Sequence, residues 1–417
     1  MSRTFLPPVA APVYDEDFYG DEFIRDPYPR YAAMRALGPV VWLVRHGNFA
    51  VTQYKEVREA LRNHKVFSSA QGVAADQFGC DFMKGNTIAS DPPFHDVMRN
   101  TMVAPLRPGT LELVQDRIEH EAETLIETLI SRGTFDGMAD LATHLPLAIV
   151  TELVGLPEDG RENMLRWAAG GFDIFGVQNA RGRQGVETVK EMRNYIATKA
   201  TPERLKPGSW TARIYELADR GEIPRETCPL LVRDYIGPSL DTTIAATGQL
   251  IYQLARNPEQ YQLLCEDPSL IPNASNEAVR LGSPIRSLTR TVTDDIELGG
   301  VRLPDGARVM LVYASANRDD RKFETPDRFD VRRVGAEHLG FGNGIHMCAG
   351  MRLARLEMDS LLKALIRRVD RIEVAEPTVA MNNTICSFAS LPMRLHAAGS
   401  ATVRRNSERA DRERRAG

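Results

Sequence analysis

Cysteine is scarce: 417 residues carry Cys80, Cys228, Cys265, Cys348 and Cys386. Few, scattered and odd in number, they exclude a disulfide framework, fit a reducing compartment and leave at least one free thiol. An excess of one charge is missing too. Lys plus Arg is 52 and Asp plus Glu is 56, a formal net charge of −4, so nothing calls for nucleic acid as a partner. No uncharged apolar run approaches the ~20 residues of a membrane helix. Met1 to Pro12 lacks the apolar core of a signal peptide. The expectation is a soluble cytoplasmic protein without a membrane segment. What is present is ordinary for a globular chain, 43% apolar and 26% charged residues. Length alone suggests roughly two to three domains, and such a chain buries enough surface to need no covalent staples.

Residues 1–26 read as an irregular lead-in, 27–400 as the folded body, and 401–417, with six Arg and three acids, as a disordered basic tail. Val40 to Val51 carries β-branched and aromatic residues around His46-Gly47-Asn48, a hairpin signal. The middle is helical. Val114, Ile118, Ala122, Leu125, Ile126 and Leu129 share one face of a helix over 111–132. Two helical stretches flank a loop at 176–185, and 229–254 reads as one long apolar helix with Gly237-Pro238 inside it. From Ile296 short extended runs appear, with a turn at Asp305-Gly306. Residues 351–368 return to helix, and short strands are expected near Val374 and at 391–395.

The most informative segment is Phe341-Gly342-Asn343-Gly344-Ile345-His346-Met347-Cys348-Ala349-Gly350. Two glycines permit a tight turn, and Cys348 then stands at the start of an amphipathic helix. Free N–H groups and the helix dipole favour a thiolate there. A thiolate on a rigid loop suits a haem iron, because it pushes electron density onto the metal. A buried structural cysteine is the plain alternative, and a low-pKa catalytic cysteine is another. A zinc site fails for want of ligands at the right spacing. A dinucleotide fingerprint fails because Met347 stands where its third glycine belongs.

The segment resembles the haem-binding signature of cytochromes P-450, Phe-Gly-x-Gly-x-His-x-Cys-x-Gly, at every fixed position, and the resemblance extends from about Pro27 to Leu395. It implies a mainly α (α+β) fold: one large helical domain with a small strand-rich part around a buried haem b. Cys348 would ligate the iron, with Phe341 and Gly342 in the haem-binding loop. Asp91 to Arg99 looks like the family's helix that clamps the haem carboxylates. His95 and Arg99 share a face of it at i,i+4 and can donate charge-assisted hydrogen bonds. Arg290 and His346 fill the other propionate positions by the same resemblance. Glu277-Ala278-Val279-Arg280 looks like the family's Glu-x-x-Arg pair, which locks onto a later arginine and holds the cysteine loop. Arg332 is the expected third member and Arg333 the alternative.

Asp241-Thr242, followed by Thr243, resembles the family's acid–alcohol pair, in which the alcohol orders bound oxygen and the acid relays protons. A lone Asp-Thr in a helix often does no more than bond back to a carbonyl. The chain departs from the family where Gly237-Pro238-Ser239-Leu240 precedes the pair. Proline there removes an N–H and clashes with the Asp234 carbonyl, so it either fixes a helix distortion beside the haem or narrows the pocket.

The resemblance thus implies a monooxygenase that takes O2 as co-substrate. Electrons would reach it singly from NAD(P)H through a ferredoxin or flavodoxin and its reductase. Gly171 to Gly176, Leu240 to Thr243 and Met381 to Thr384 resemble members that oxidise or O-demethylate small aromatic acids. Phe172 and Phe175 would form an aromatic lid, with Pro238, Ile285, Leu288 and Phe388 as other walls; ordinary core packing is the alternative for each. Against an acid substrate, the loop Ser68 to Val73 holds no arginine, although Arg286 is an available cation. A neutral phenol, aryl ether or terpenoid is the rival substrate. A peroxygenase and a non-catalytic haem-thiolate sensor are the rival functions. Arg352 and Arg355 are candidates for docking an acidic ferredoxin. A monomer is expected. Motifs from His95 to Cys348 that converge on one haem overrule the two-domain prior.

Overall fold

The computed structural model describes residues 11–333 and 337–399. Its main sheet has six strands in the order Val13–Tyr14, Val40–Leu43, Asn48–Val51, Arg308–Leu311, Leu288–Val292, Phe67–Ser68. The hairpin read around Gly47 is present: Val40 faces Val51 and Leu43 faces Asn48 across an antiparallel pair. The N-terminal lead-in is not irregular throughout. Val13–Tyr14 pairs in parallel with Trp42 and Leu43, and Asp21–Arg25 forms a helical turn. Phe18, Tyr19 and Phe23 are buried with Tyr31 and Met34. Aromatic area removed from water is what holds a turn-rich segment of this kind in place. Residues 1–10 and the basic tail at 401–417 lie outside the described residues.

Helices form the bulk. Pro108–Arg132 starts on a proline, whose missing N–H costs nothing in a first turn, and buries Ile118, Ala122, Leu125, Ile126 and Leu129 against Met351–Arg368. Met164–Ile174 packs along Ala180–Thr198, which begins inside the stretch expected to be a loop because the Asn179 side chain caps it at Gly182 N, 3.0 Å. Among the described residues, Gly137–Val154 has the length and mean hydropathy to cross a membrane; it is 56% buried inside the molecule and carries Asp140 and Glu152.

The expected single helix over 229–254 is two helices, Cys228–Ile236 and Asp241–Arg256. Pro238 has no N–H for the Asp234 carbonyl, so the first helix closes with Gly237 N on Arg233 O at 3.0 Å. Ser239 Oγ then donates to Tyr235 O, and Thr242 Oγ1 donates to Pro238 O at 2.9 Å. Two hydroxyls occupy carbonyls that an unbroken helix would have used internally, and the break is thereby satisfied.

Candidate functional site

Gly342 and Gly344 adopt φ of 72° and 71°, left-handed values that favour glycine. At Gly344 a Cβ would stand 2.3 Å from the Leu61 carbonyl oxygen, so the loop can lie this close to the neighbouring chain only without a side chain. Cys348 N donates to Phe341 O at 2.8 Å and closes the turn. Phe341 is held between His338, 5.5 Å centroid to centroid, and the Arg355 guanidinium at 5.1 Å. Arg355 also donates to Asn276 Oδ1 at 2.7 and 3.0 Å. Arg355 is half-buried and engaged in the loop's support, whereas Arg352 is exposed.

Cys348 opens into a cavity of about 260 Å³. The helix-start argument predicts a depressed thiol pKa. The amides of Gly350 and Met351 and the Arg99 guanidinium do pull it down, but burial outweighs them and holds the free thiol above its usual value. On the same cavity converge Arg99, Arg290 and His346, with His95 beside His346, ring centroids 4.6 Å apart. His95 Nδ1 bonds Asp96 Oδ1 at 2.9 Å. The Nε2 atoms of both histidines are buried without a hydrogen-bond partner. Arg290 is buried, donates to a neighbouring carbonyl, Thr289 O, at 2.7 Å and meets the Tyr313 hydroxyl, and Arg99 rests on Met347 O. Burial and the nearby cations push His346 down to about 2, so it is neutral.

The distal wall comes from the helix break. Pro238, Ser239, Thr242 and Thr243 line the cavity, and Asp241 stands outside its lining. Burial, with the Asp173 carboxylate adding to it, pushes Asp241 up to about 7; burial holds Asp173 at about 6. Phe172 and Phe175, 6.0 Å apart in an edge-to-face pair, line the cavity with Ile285 and Leu288. Phe388 does not: its ring packs on Tyr252 at 5.1 Å, because its short strand pairs with Thr378–Val379 beside the Asp241–Arg256 helix. Arg286 also points elsewhere, donating to the Asn382 and Ile385 carbonyls at 3.0 and 3.2 Å. The loop 68–73 does not touch the cavity, so its lack of arginine bears on nothing there. Asn383, in the segment 381–384, anchors the helix end, its N–H donating to Asp173 Oδ1 at 2.7 Å.

The ion-pair network departs from expectation at one residue. Glu277 takes Arg280 at 2.8 Å on each carboxylate oxygen, and its third partner is Arg333 at 3.0 Å. Arg332 is exposed, because the Asp330 carboxylate caps Arg332 N at 3.0 Å in a turn that sends the next side chain inward. Arg332→Ala should change stability by no more than about 0.5 kcal/mol, and Arg333→Ala should cost about 1–3 kcal/mol. Urea unfolding of the two variants side by side checks this.

The chain is 37% identical over 388 residues to cytochrome p450 CYP199A2 of Rhodopseudomonas palustris, covering 91% of this chain and 93% of that one. The chain belongs to the cytochrome P450 family. The family profile described as Cytochrome P450 matches residues 217–389. Linalool 8-monooxygenase of Pseudomonas putida is 31% identical, over 84% of this chain and 90% of that one. The structure of CYP109Q5 from Chondromyces apiculatus superposes with a TM-score of 0.73 at 26% identity, covering 93% and 99%. This P450 is an oxidoreductase of the haem-thiolate monooxygenase type, using O2 and external electron donors.

The residues present fit a haem. Two orphaned imidazole Nε2 atoms and two arginines make a donor-rich rim for two carboxylates, beside one thiol and an apolar wall. No cluster of three or more His, Cys, Asp or Glu among the described residues could cage a bare ion. When bound, the haem supplies oxygen activation and insertion; the chain supplies position and electrostatics.

Residues that the motifs missed are Trp167, Trp210, Arg233, Asp234 and Glu357, all lining the cavity. Two adjacent charges in the apolar run 229–236 were the available signal for Arg233 and Asp234, since such a helix is buried on most sides. Glu357 is 2% exposed, its Oε1 has no partner, and burial pushes it up to about 8. An unfolded carboxyl releases its proton near 4.5 and this one only near 8, so the native state holds the extra proton between. Stability is therefore full below pH ~4.5 and falls by about 1.4 kcal/mol per pH unit up to about 8. Urea titrations at pH 5, 7 and 9 should show that slope flattened in Glu357→Gln.

Proposed function

We propose that this P450 hydroxylates or oxidatively O-demethylates a small aromatic compound, with electrons passed singly from NAD(P)H through a ferredoxin or flavodoxin and its reductase. The observation that carries it is the cavity wall: the Phe172 and Phe175 rings, with Trp167 and Trp210, enclose a space continuous with Cys348 and floored by the Pro238 break. Flat aromatic walls favour a flat ring through offset and edge contacts. In the reaction one oxygen atom of O2 enters the substrate and the other leaves as water, with two electrons and two protons consumed. For an aryl methyl ether, the methyl carbon is hydroxylated and the hemiacetal releases formaldehyde and a phenol.

His95, Arg99, Arg290 and His346 take the roles of propionate donors, with Phe341 and Gly342 against the macrocycle and Cys348 as the iron ligand. Asp241 is half-buried and poised near neutrality, which suits a group that passes protons inward. Thr242 Oγ1, set on the Pro238 carbonyl, presents the alcohol at the cavity. Asp241→Asn is expected to lower kcat by about 10²-fold or more with substrate affinity unchanged. A kcat above half the wild-type value would remove Asp241 from this role.

The same reading carries a single catalytic body over 27–400, a monomer, and a cytoplasmic location. All five cysteines are unpaired, in keeping with a reducing compartment. Exposed Arg352 is the docking residue on the cysteine side. Turnover of a methoxybenzoate, anisole and linalool with NADH, a ferredoxin and its reductase tests the proposal. Formaldehyde release from an aryl ether is the expected result. Preference for linalool, product with hydrogen peroxide alone, or no product with any of them would overturn it.

A further inference from the structure

Trp167 lines the cavity that Cys348 opens into and is 1% exposed. Its ring lies 5.0 Å from that of Tyr195 on the neighbouring helix, centroid to centroid, with the planes at 43°. Each ring gives its one N–H or O–H to a surface carboxylate. Trp167 Nε1 donates to Glu191 Oε1 at 3.3 Å, and Tyr195 OH donates to Asp159 Oδ1 at 2.9 Å. Glu191 and Asp159 are exposed. Bonds from Arg166 hold Glu191 below the usual carboxylate range, and bonds from Tyr195 and Arg204 do the same for Asp159, so both are bases at neutral pH. Burial and the bond to Asp159 keep the Tyr195 phenol protonated. Gly160 makes this contact possible: a Cβ there would stand 2.4 Å from the Tyr195 hydroxyl oxygen. Trp210, also on the cavity, lacks such an arrangement. It lies 5.1 Å from Tyr235, whose hydroxyl donates to the Met102 carbonyl at 3.0 Å, and a backbone carbonyl does not take a proton.

Indole and phenol are, with thiols, the side chains that give up an electron most readily. Losing an electron makes a phenol strongly acidic, so a base already hydrogen-bonded to it eases the oxidation by taking the proton in the same step. We propose that Trp167 and Tyr195 form an outlet for oxidising equivalents, passing one electron at a time from Tyr195 through Trp167 into the haem cavity when no substrate takes up the oxygen. Trp167 gives an electron to the cavity and regains one from Tyr195, while the phenol proton passes to Asp159. A neutral tyrosyl radical is left on Tyr195, 9% exposed beside the surface. A small thiol or ascorbate then supplies one electron, and the phenol regains its proton from Asp159. Two such transfers, with two protons, convert the oxygen atom that a substrate would have received into water. With the two electrons already delivered by the donor chain, the sum is O2, four electrons and four protons to two waters. The outlet needs the oxygen chemistry of the family and no particular substrate.

The test mixes haem-loaded, substrate-free protein rapidly with peracetic acid and reads freeze-quenched samples by electron paramagnetic resonance. Only samples with the full reduced carbon monoxide band are mixed, so a lost haem-thiolate centre is not mistaken for a missing outlet. Wild type is expected to give a tyrosyl signal. Tyr195→Phe and Trp167→Phe should lose most of it, and Tyr235→Phe should keep it. Asp159→Asn keeps a hydrogen bond but removes the base, and should slow the signal's appearance by about 10²-fold. The haem of Tyr195→Phe should bleach faster than that of wild type. Its turnover with substrate should be unchanged, because Tyr195 does not line the cavity. No tyrosyl signal in wild type, a full signal in Tyr195→Phe, or an unslowed one in Asp159→Asn would overturn the proposal. If Tyr195→Phe does not fold, the surface change Asp159→Asn decides.

Discussion

Cys348→Ala is expected to abolish turnover and the absorption of the reduced carbon monoxide complex at the wavelength that names the family. The reason is local. Cys348 is held on the Phe341 carbonyl and faced by the Gly350 and Met351 amides and the Arg99 guanidinium, so negative charge on sulfur is stabilised at this one atom. A haem iron held there would deprotonate the thiol, as metal coordination does generally. The alanine variant keeps the glycine turn and the rest of the cavity, so it should still fold. A variant that retains the band, or a wild type that never shows it, would refute Cys348 as the ligand.

Glu277→Gln is expected to cost about 3–5 kcal/mol, because it leaves the buried Arg280 and the half-buried Arg333 without a counter-charge. Both side chains of the Glu277–Arg280 pair are 2% exposed. The loss should reach the cysteine loop through a defined chain of bonds. Arg280 Nη1 donates to Asn317 O at 2.7 Å, Asn317 Oδ1 takes Leu339 N at 2.7 Å, and Leu339 O takes Gly342 N at 2.9 Å. Haem content and the urea midpoint should therefore fall together. A drop in stability with normal haem retention would show that the network does not hold the loop.

The turn around Cys348, the helix carrying His95 and Arg99 and the buried Glu277–Arg280 pair were legible from the sequence because each depends on residues close together in the chain. Gly342 and Gly344 turn the loop at left-handed φ of 72° and 71°, and Glu277 meets Arg280 one helical turn away. Arg333 was not legible in preference to Arg332, since adjacent side chains in a turn point in different directions and only the Asp330 cap decides which goes inward. Phe388 falls outside the cavity for a similar reason, since an apolar ring near the right segment says nothing of the face it occupies, and the direction of Arg286 is set by its carbonyl partners alone.

The scarcity of cysteine and the spacing of residues 341–350 by themselves singled out Cys348, because its glycine turn is built within a ten-residue loop. Which side chains line the cavity was decided only by tertiary structure. Arg233 looks like an awkward charge in an apolar helix until the 164–174, 180–198 and 228–236 helices enclose it and leave it unpaired. Desolvation comes from every element that surrounds a group at once, and no local stretch of sequence contains that sum.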